Sequence, residues 1–253
     1  MVKKQDFLAF LEEILQSRTI NDYCPNGLQV EASDEITKIV TGVTASQALI
    51  DEAIKRQADC LLVHHGYFWK GEDQRITGIK MRRIKALLDN GINLVAYHLP
   101  IDVHPQLGNN AQLGQQLGLV NIEAHPEVKP YGIIMQGELA NPITLLNFSE
   151  LINKSLKREP MHIEAQGRDL ISTVAWCTGG GQNYIEQAAE LNVDAFISGE
   201  ISEQTTHLAR ELGVHYFAAG HHATERYGVK ALGEYIEANT EISVEFVDVE
   251  NPA

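Results

Sequence analysis

Three short segments carry side chains that could bind a metal ion. In each segment one or two histidines come directly after an apolar run. The segments are Val63-His64-His65-Gly66, His98-Leu99-Pro100-Ile101-Asp102 and Gly220-His221-His222-Ala223-Thr224-Glu225. Imidazole nitrogens and carboxylate oxygens are common ligands of zinc, manganese, iron and nickel. We therefore predict that the three segments converge on a metal site built from nitrogen and oxygen donors.

The candidate ligands are His64, His65, Asp102, His221 and Glu225. Neighbouring side chains in a strand point to opposite faces, so the first two histidines either serve different metals or share one where the backbone turns at Gly66. His221 and Glu225 are four residues apart at the start of a predicted helix, so they share one helix face. Five protein ligands are more than one catalytic metal usually takes. We therefore predict two divalent metals roughly 3.5–4 Å apart.

The remaining chemically capable residues have simpler interpretations. Glu200 ends a predicted strand and is a candidate for proton transfer, with capping of a helix as the alternative. The turn Thr178-Gly179-Gly180-Gly181 could present backbone N–H groups to a phosphate, although a tight strand-to-helix turn is the simpler interpretation. For His222 a metal-related and a structural role are equally supported. A lone histidine is more often structural than a ligand, and we interpret these residues in that way: His98, His104, His125, His162, His207 and His215.

Composition limits the class of partner and the compartment. The 20 lysines and arginines against 34 acids give a net charge of −14. This charge argues against extended nucleic acid as a partner, since such binding depends on neutralising phosphates. The three cysteines are far apart, which suits reduced thiols. The first residues lack the apolar core of a signal peptide, and no stretch has the apolar length of a membrane span. These features predict a cytoplasmic protein.

Alternating strands and helices are predicted to position the candidate ligands. Apolar patterning predicts helices at 6–15, 46–56, 80–90 and 110–117, and strands at 38–44, 58–65 and 93–98. This alternation is typical of α/β domains with largely parallel sheets. Ligands of such sheets bind beyond the carboxyl ends of the strands, where all three histidine segments fall. The pattern pauses at residues 121–130, and a second α/β block follows. We predict a first domain of residues 1–125 plus 214–253 and a second domain of residues 126–213.

Five motifs together resemble a known family. They are Lys38-Ile39-Val40-Thr41-Gly42-Val43-Thr44-Ala45-Ser46, Val63-His64-His65-Gly66, His98-Leu99-Pro100-Ile101-Asp102, Gly108-Asn109-Asn110 and Gly220-His221-His222-Ala223-Thr224-Glu225. The chain is similar nearly end to end to the Nif-three-like family, also called GTP cyclohydrolase I type 2 homologues, and to its short YbgI-type branch. The resemblance implies two interlinked α/β domains, a dinuclear metal site in the cleft between them, and a ring-shaped homohexamer. Carried over by position, the ligands are again His64, His65, Asp102, His221 and Glu225.

One segment departs from the family pattern. The family often has a Trp-Asp-Asn-x-Gly-Leu turn, where this chain has Asp22-Tyr23-Cys24-Pro25-Asn26-Gly27-Leu28-Gln29. The turn is retained, but no role of the missing tryptophan is transferred.

Two hypotheses of function follow from the metal site and the resemblance. The first is a metal-dependent hydrolase of a nucleotide-like substrate, acting as a type 2 GTP cyclohydrolase or clearing damaged or modified nucleotides. The substrate class follows from the family label alone. The alternative is a non-catalytic, ring-forming scaffold or regulator that uses the metals for assembly or sensing. A catalytic site needs open coordination positions, whereas a structural metal site is closed.

Overall fold

The computed structural model describes all 253 residues, and strands alternate with helices along most of the chain. The elements up to residue 103 are β1 (Val2–Lys3), α1 (Lys4–Leu15), β2 (Gly27–Val30), β3 (Glu35–Ile36), β4 (Lys38–Thr44), α2 (Gln47–Lys55), β5 (Cys60–His65), α3 (Gly78–Asp89), β6 (Asn93–Ala96) and α4 (Leu99–Val103). Those that follow are α5 (Asn109–Gln116), β7 (Val120–Ala124), β8 (Met135–Thr144), α6 (Leu145–Leu156), β9 (Met161–Ile163), β10 (Leu170–Cys177), α7 (Ile185–Glu190), β11 (Ala195–Ser198), α8 (Glu203–Leu212), β12 (His215–Ala218), α9 (His221–Asn239) and β13 (Ser243–Phe246). Short 3-10 turns occur at Ser17–Thr19 and Gln182–Tyr184.

The chain divides into two compact units. The first unit comprises Met1–Ile101 and Val229–Glu250, and the second unit comprises Asp102–Gly228 and Asn251–Ala253. The sequence predicted domain boundaries at residues 125 and 213. The division into compact units does not test whether those segments fold as separate domains, so these boundaries stay a prediction. The α/β class with mixed, largely parallel sheets is confirmed.

The first unit contains a five-stranded sheet in the order β13-β4-β5-β6-β2. Strand β5 pairs in parallel with β4 on one side and β6 on the other, so it lies in the interior of the sheet and not at an edge. Its residues Cys60, Leu61, Leu62 and Val63 are all buried, which explains the uninterrupted apolar run in the sequence. Ser46 is the N-cap of helix α2, and its side chain accepts a hydrogen bond from the backbone N–H of Leu49. The sheet therefore holds the end of β5 rigidly.

The second unit contains a six-stranded sheet in the order β7-β8-β10-β11-β12-β9. Its central strands β10, β11 and β12 are parallel, while the flanking strands pair antiparallel. Trp176 on β10 is fully buried, and its indole N–H donates to the backbone carbonyl of Asn110 at 2.8 Å. Phe148 and Phe217 pack edge to face with ring centroids 5.1 Å apart. This core fixes the carboxyl ends of β10 and β11, where the glycine turn and Glu200 follow.

Replacing Ser202 by alanine is expected to lower the free energy of unfolding by about 1 kcal/mol. Ser202 caps α8 reciprocally, because its side chain accepts from the backbone N–H of Thr205 and its own N–H donates to the Thr205 hydroxyl. Thr77 begins α3 without any side-chain capping bond, so Thr77→Ala is the matched control. Denaturant unfolding followed by circular dichroism measures both, and equal losses in the two variants would contradict the capping role.

Candidate metal centre

The first histidine doublet lies at the carboxyl end of β5. The Nδ1 atom of His64 donates to the backbone carbonyl of Tyr97 at 3.1 Å, so its Nε2 atom carries the lone pair. The Nδ1 atom of His65 lies 3.2 Å from the hydroxyl of Thr44. The two ring centroids are 4.4 Å apart, although strand neighbours ordinarily point to opposite faces. The pair therefore presents both imidazoles to one region.

Gly66 has a different role from the one that the sequence indicated. Its backbone does not have the positive φ that would favour glycine in a turn. A Cβ atom there would instead overlap the side-chain oxygen of Gln29 and lie 2.6 Å from the Cβ of Ala96. The position requires glycine because there is no space for a side chain directly after the doublet.

A third imidazole, His98, lies beside the doublet in the first unit. Ligand atoms of His64, His65 and His98 all lie within 4.8 Å of one another. The Nδ1 atom of His98 is 2.7 Å from Oδ1 of Asp22, a carboxylate whose side chain is only 2% exposed. Burial alone raises the pKa of Asp22, but hydrogen bonds from His98 and Asn26 outweigh it and hold this pKa below its usual value. An ionised Asp22 thus anchors His98, which the sequence interpretation had left as a structural residue.

In the second unit, Asp102 is a buried carboxylate fixed by polar neighbours. Its Oδ1 atom accepts from the side-chain amide of Asn109 at 2.8 Å and from the hydroxyl of Thr178 at 3.4 Å. Its backbone carbonyl accepts from the amide of Asn110, whose side-chain oxygen accepts from the N–H of Thr178 at 3.0 Å. The Gly108-Asn109-Asn110 motif therefore positions Asp102.

The start of α9 carries the other two predicted ligands. The Nε2 atom of His221 lies 3.1 Å from Oε2 of Glu225, one helical turn later. The Nδ1 atom of the same ring lies 2.8 Å from Oε1 of Glu200. Glu225 is 3% exposed, and its ligand atom lies within 4.8 Å of that of Asp102. The structure thus brings two buried carboxylates and an imidazole together within this unit.

The turn after β10 makes room for Glu225. Gly179 has a φ of +62°, and a Cβ atom there would overlap the Glu225 carboxylate and lie 3.2 Å from Nε2 of His221. The N–H of Gly179 donates to the hydroxyl of Thr224 at 3.0 Å, which ties the turn to α9. The sequence indicated a tight glycine turn here, but it did not indicate that the turn packs against Glu225.

Glu200 contacts the candidate ligands through His221. Its carboxylate is about half exposed and bonds Nδ1 of that ring, with the side-chain amide of Gln182 on its other oxygen at 3.3 Å. A carboxylate on the outer nitrogen of a ligand histidine fixes the ring and raises its basicity. The geometry supports this orienting role for Glu200, and proton transfer by Glu200 stays a prediction.

Metal uptake is expected to strengthen as pH rises from about 6.5 to about 9. Burial lowers the pKa of His221, but the hydrogen bonds and charges of Glu225 and Glu200 outweigh it and raise the pKa from 6.5 to about 9. The proton stabilises the metal-free fold below 6.5, and this stabilisation is lost as pH rises through about 9. A metal ion must displace this proton, so affinity should rise up to about tenfold per pH unit in this range.

Calorimetric titration of the metal-free protein at pH 7, 8 and 9, in buffers of different ionisation enthalpy, measures both the affinity and the protons released. The control is His207→Ala, because that histidine is exposed on α8. A pH-independent affinity without proton release would contradict the assignment.

The donor set in both units fits divalent metal ions. It consists of imidazoles and carboxylates, which zinc, manganese, iron and nickel accept. Cys177 is buried nearby, and burial together with the charges of Asp102 and Glu225 raises the pKa of its thiol well above the usual value. Burial likewise raises the pKa of the Cys24 thiol to about 12. Neither cysteine is therefore poised as a thiolate in the metal-free protein, although ligand atoms of Cys24, Asp22 and His98 lie within 4.8 Å of one another.

Comparison with known proteins identifies the family of this chain. The sequence model of the Duf34/NIF3 (NGG1p interacting factor 3) family matches residues 2–252. The chain belongs to the Duf34/NIF3 family. The resemblance to Nif-three-like proteins noted from the motifs is therefore confirmed.

Individual members of the Duf34/NIF3 family match along the whole chain. A protein of Vibrio cholerae called GTP cyclohydrolase 1 type 2 homolog is 56% identical over 248 residues, covering 96% of this chain and 97% of its own. A protein of Escherichia coli K12 with the same name is 52% identical over 252 residues and is covered fully, as is this chain. The solved structure of protein ybgI, described as of unknown function, superposes with a TM-score of 0.95 at 50% identity over the full length of both chains. None of the helices is both long enough and apolar enough to cross a membrane.

Proposed function

We propose that this Duf34/NIF3 protein is a dinuclear metal-dependent hydrolase of a nucleotide-like substrate. In this proposal the protein ligands of the two divalent ions are His64, His65, Asp102, His221 and Glu225. The observation that carries the proposal is that each unit gathers buried or partly buried nitrogen and oxygen donors whose other polar atoms are already bonded by neighbouring groups. Ligands of metal sites are typically held in this manner.

Such ions supply Lewis acidity and lower the pKa of bound water towards about 7. The contribution of the chain itself is orientation and proton control. Tyr97 and Glu200 fix the rings of His64 and His221 through their Nδ1 atoms. Asn109 and Thr178 hold Asp102. Glu200, with one oxygen on His221 and its side chain about half exposed, is the group we propose to exchange protons with solvent.

The substrate class is supported by the comparisons. Relatives more than half identical to this chain carry the name GTP cyclohydrolase 1 type 2 homolog, which favours a purine nucleotide or a damaged form of one. Fold and family do not fix a reaction, so the substrate needs a direct test. The ring-shaped homohexamer implied by the resemblance is a further part of the proposal, which light scattering of the purified protein would test.

Turnover of a nucleotide and phosphoester panel tests the hydrolase. The protein is loaded separately with zinc, manganese, iron or nickel and assayed against GTP, modified nucleoside triphosphates and simple phosphoesters. We expect at least one substrate to be hydrolysed by the loaded protein, with activity lost in His64→Ala and Glu225→Ala and retained in His207→Ala. Full metal loading without any turnover would instead favour the metal-dependent scaffold or regulator.

A further inference from the structure

We propose that His98 is a further metal ligand, completing a three-imidazole group with His64 and His65 in the first unit. This inference rests on the proposed metal centre and adds a residue to it. It also revises the interpretation of His98 as a structural residue. The local sequence around His98 does not indicate which residues lie near it in the fold.

The first support is the distance between the donor atoms. The ring centroid of His98 is 5.1 Å from that of His64 and 5.8 Å from that of His65. The ligand atoms of the three residues lie within 4.8 Å of one another. Two nitrogens that bind one ion at about 2.0–2.1 Å are at most about 4.2 Å apart. Small rotations of the rings therefore suffice for the three to share an ion.

The second support is the hydrogen bond to Asp22, which determines which nitrogen of His98 keeps a lone pair for a metal ion. An ionised carboxylate only accepts hydrogen bonds, so Nδ1 of His98 donates to it at 2.7 Å and Nε2 keeps the lone pair. A carboxylate on the outer nitrogen is the arrangement found around histidines that bind metals. His221 has the same arrangement with Glu200 in the second unit.

The third support is the set of hydrogen bonds by which the surrounding residues hold Asp22 in place. Its Oδ2 atom accepts from the backbone N–H of Leu99 and from the side-chain amide of Asn26, both at 2.9 Å. The side-chain oxygen of Asn26 in turn accepts from the backbone N–H of His98 at 2.8 Å. Burying a carboxylate is costly unless it is fully bonded. Two residues of the turn thus serve to orient one imidazole ring.

The competing role for His98 is packing, since its ring lies edge to face with Trp69 at 4.9 Å between centroids. His98→Phe keeps an aromatic ring in this space but removes the donor nitrogen, and His98→Ala removes both. Asp22→Asn keeps the shape of the anchor but removes its charge. His207→Ala is the control for loss of an exposed histidine elsewhere. Thermal unfolding of the metal-free variants verifies that each one folds.

The readouts are metal affinity and the visible absorption spectrum of the Co²⁺-loaded protein, which reports the number and kind of ligands. Replacing an outer-sphere partner typically costs about 10–100-fold in affinity, so we expect a loss of that size in Asp22→Asn and a larger one in both His98 variants. Added imidazole should restore the spectrum of His98→Ala but not that of His98→Phe, where the ring fills the space.

Unchanged affinity and an unchanged spectrum in folded His98 variants would overturn this assignment. A different result would contradict the proposed metal centre as a whole: His64→Ala and Glu225→Ala would bind metal as tightly as the parent protein does. Loss of metal in those two variants alone would leave the centre intact and remove only His98 from it.

Discussion

Replacing Glu225 by alanine is expected to reduce metal binding to no more than one ion per chain and to weaken affinity by more than about 100-fold, beyond the loss typical of an outer-sphere change. Glu225 is almost fully buried and lies against both His221 and, within 4.8 Å, the ligand atom of Asp102. Its loss would therefore remove a carboxylate that contacts or neighbours two other predicted ligands. Elemental analysis after reloading with metal measures the stoichiometry.

The same substitution has a second expected consequence in the metal-free protein. Burial lowers the pKa of His221, and the hydrogen bond and charge of Glu225 contribute most to raising it. Its removal should return the pKa of His221 towards or below 6.5, which NMR titration of the imidazole would show. Glu234→Ala is the matched control, because that glutamate lies exposed on the same helix and pairs only at 3.7 Å with Lys230. An unchanged metal content in Glu225→Ala with a normal fold would contradict its assignment as a ligand.

Replacing Gly179 by alanine is expected to impair metal binding by at least about tenfold, an effect comparable to loss of a ligand's outer partner. A Cβ atom at this position would overlap the Glu225 carboxylate and lie 2.8 Å from its Cδ atom. The buried carboxylate would have to move, since the backbone of the turn is tied to Thr224. Stability should fall as well, because a left-handed conformation costs a non-glycine residue about 1–2 kcal/mol.

Gly213→Ala separates the two effects of this substitution. Gly213 has a nearly equal φ of +68° but nothing within 4 Å of its hypothetical Cβ atom. We therefore expect it to show the conformational cost alone, with normal metal affinity. Isothermal titration with Zn²⁺ and thermal unfolding of both variants make the comparison. If both variants bind the ion equally well, Gly179 is only a turn residue.

The sequence predicted most of the first unit because its strands are central. Strand β5 is buried on both faces, so every residue from Cys60 to Val63 is apolar and the pattern is plain. Strand β7 was missed, and its segment was interpreted as a pause. It pairs only with β8 at an edge of the second sheet, with Val120 exposed and Asn121 at a φ of +53°. Its residues Val120-Asn121-Ile122-Glu123-Ala124 nevertheless alternate between apolar and polar side chains, so this period of two could have identified the strand.

The sequence could predict those ligands that directly follow a strand or lie one helical turn apart. The spacing of His221 and Glu225 alone placed them on one face of α9, and the structure agrees. The role of His98 was not predictable, because its anchor Asp22 is 76 residues earlier in the chain. Gly179 and Glu225, which fit against each other in the structure, are likewise far apart in the chain. Such contacts arise from tertiary packing, so they cannot be predicted from the local sequence pattern.

The anchored rings have a consequence for how metals enter and leave. Tyr97, Asp22 and Glu200 each restrain one imidazole through its Nδ1 atom before any ion arrives. Side chains already restrained lose little conformational entropy when they coordinate, so loading requires hardly any reorganisation. Imidazole and carboxylate donors accept several first-row divalent ions, and selection among these ions in the cell depends on metal availability as well as on site geometry and ligand type. The ion that occupies such a centre in the cell would then be determined by the available pool of metals, and the same polypeptide would carry different ions under different growth conditions.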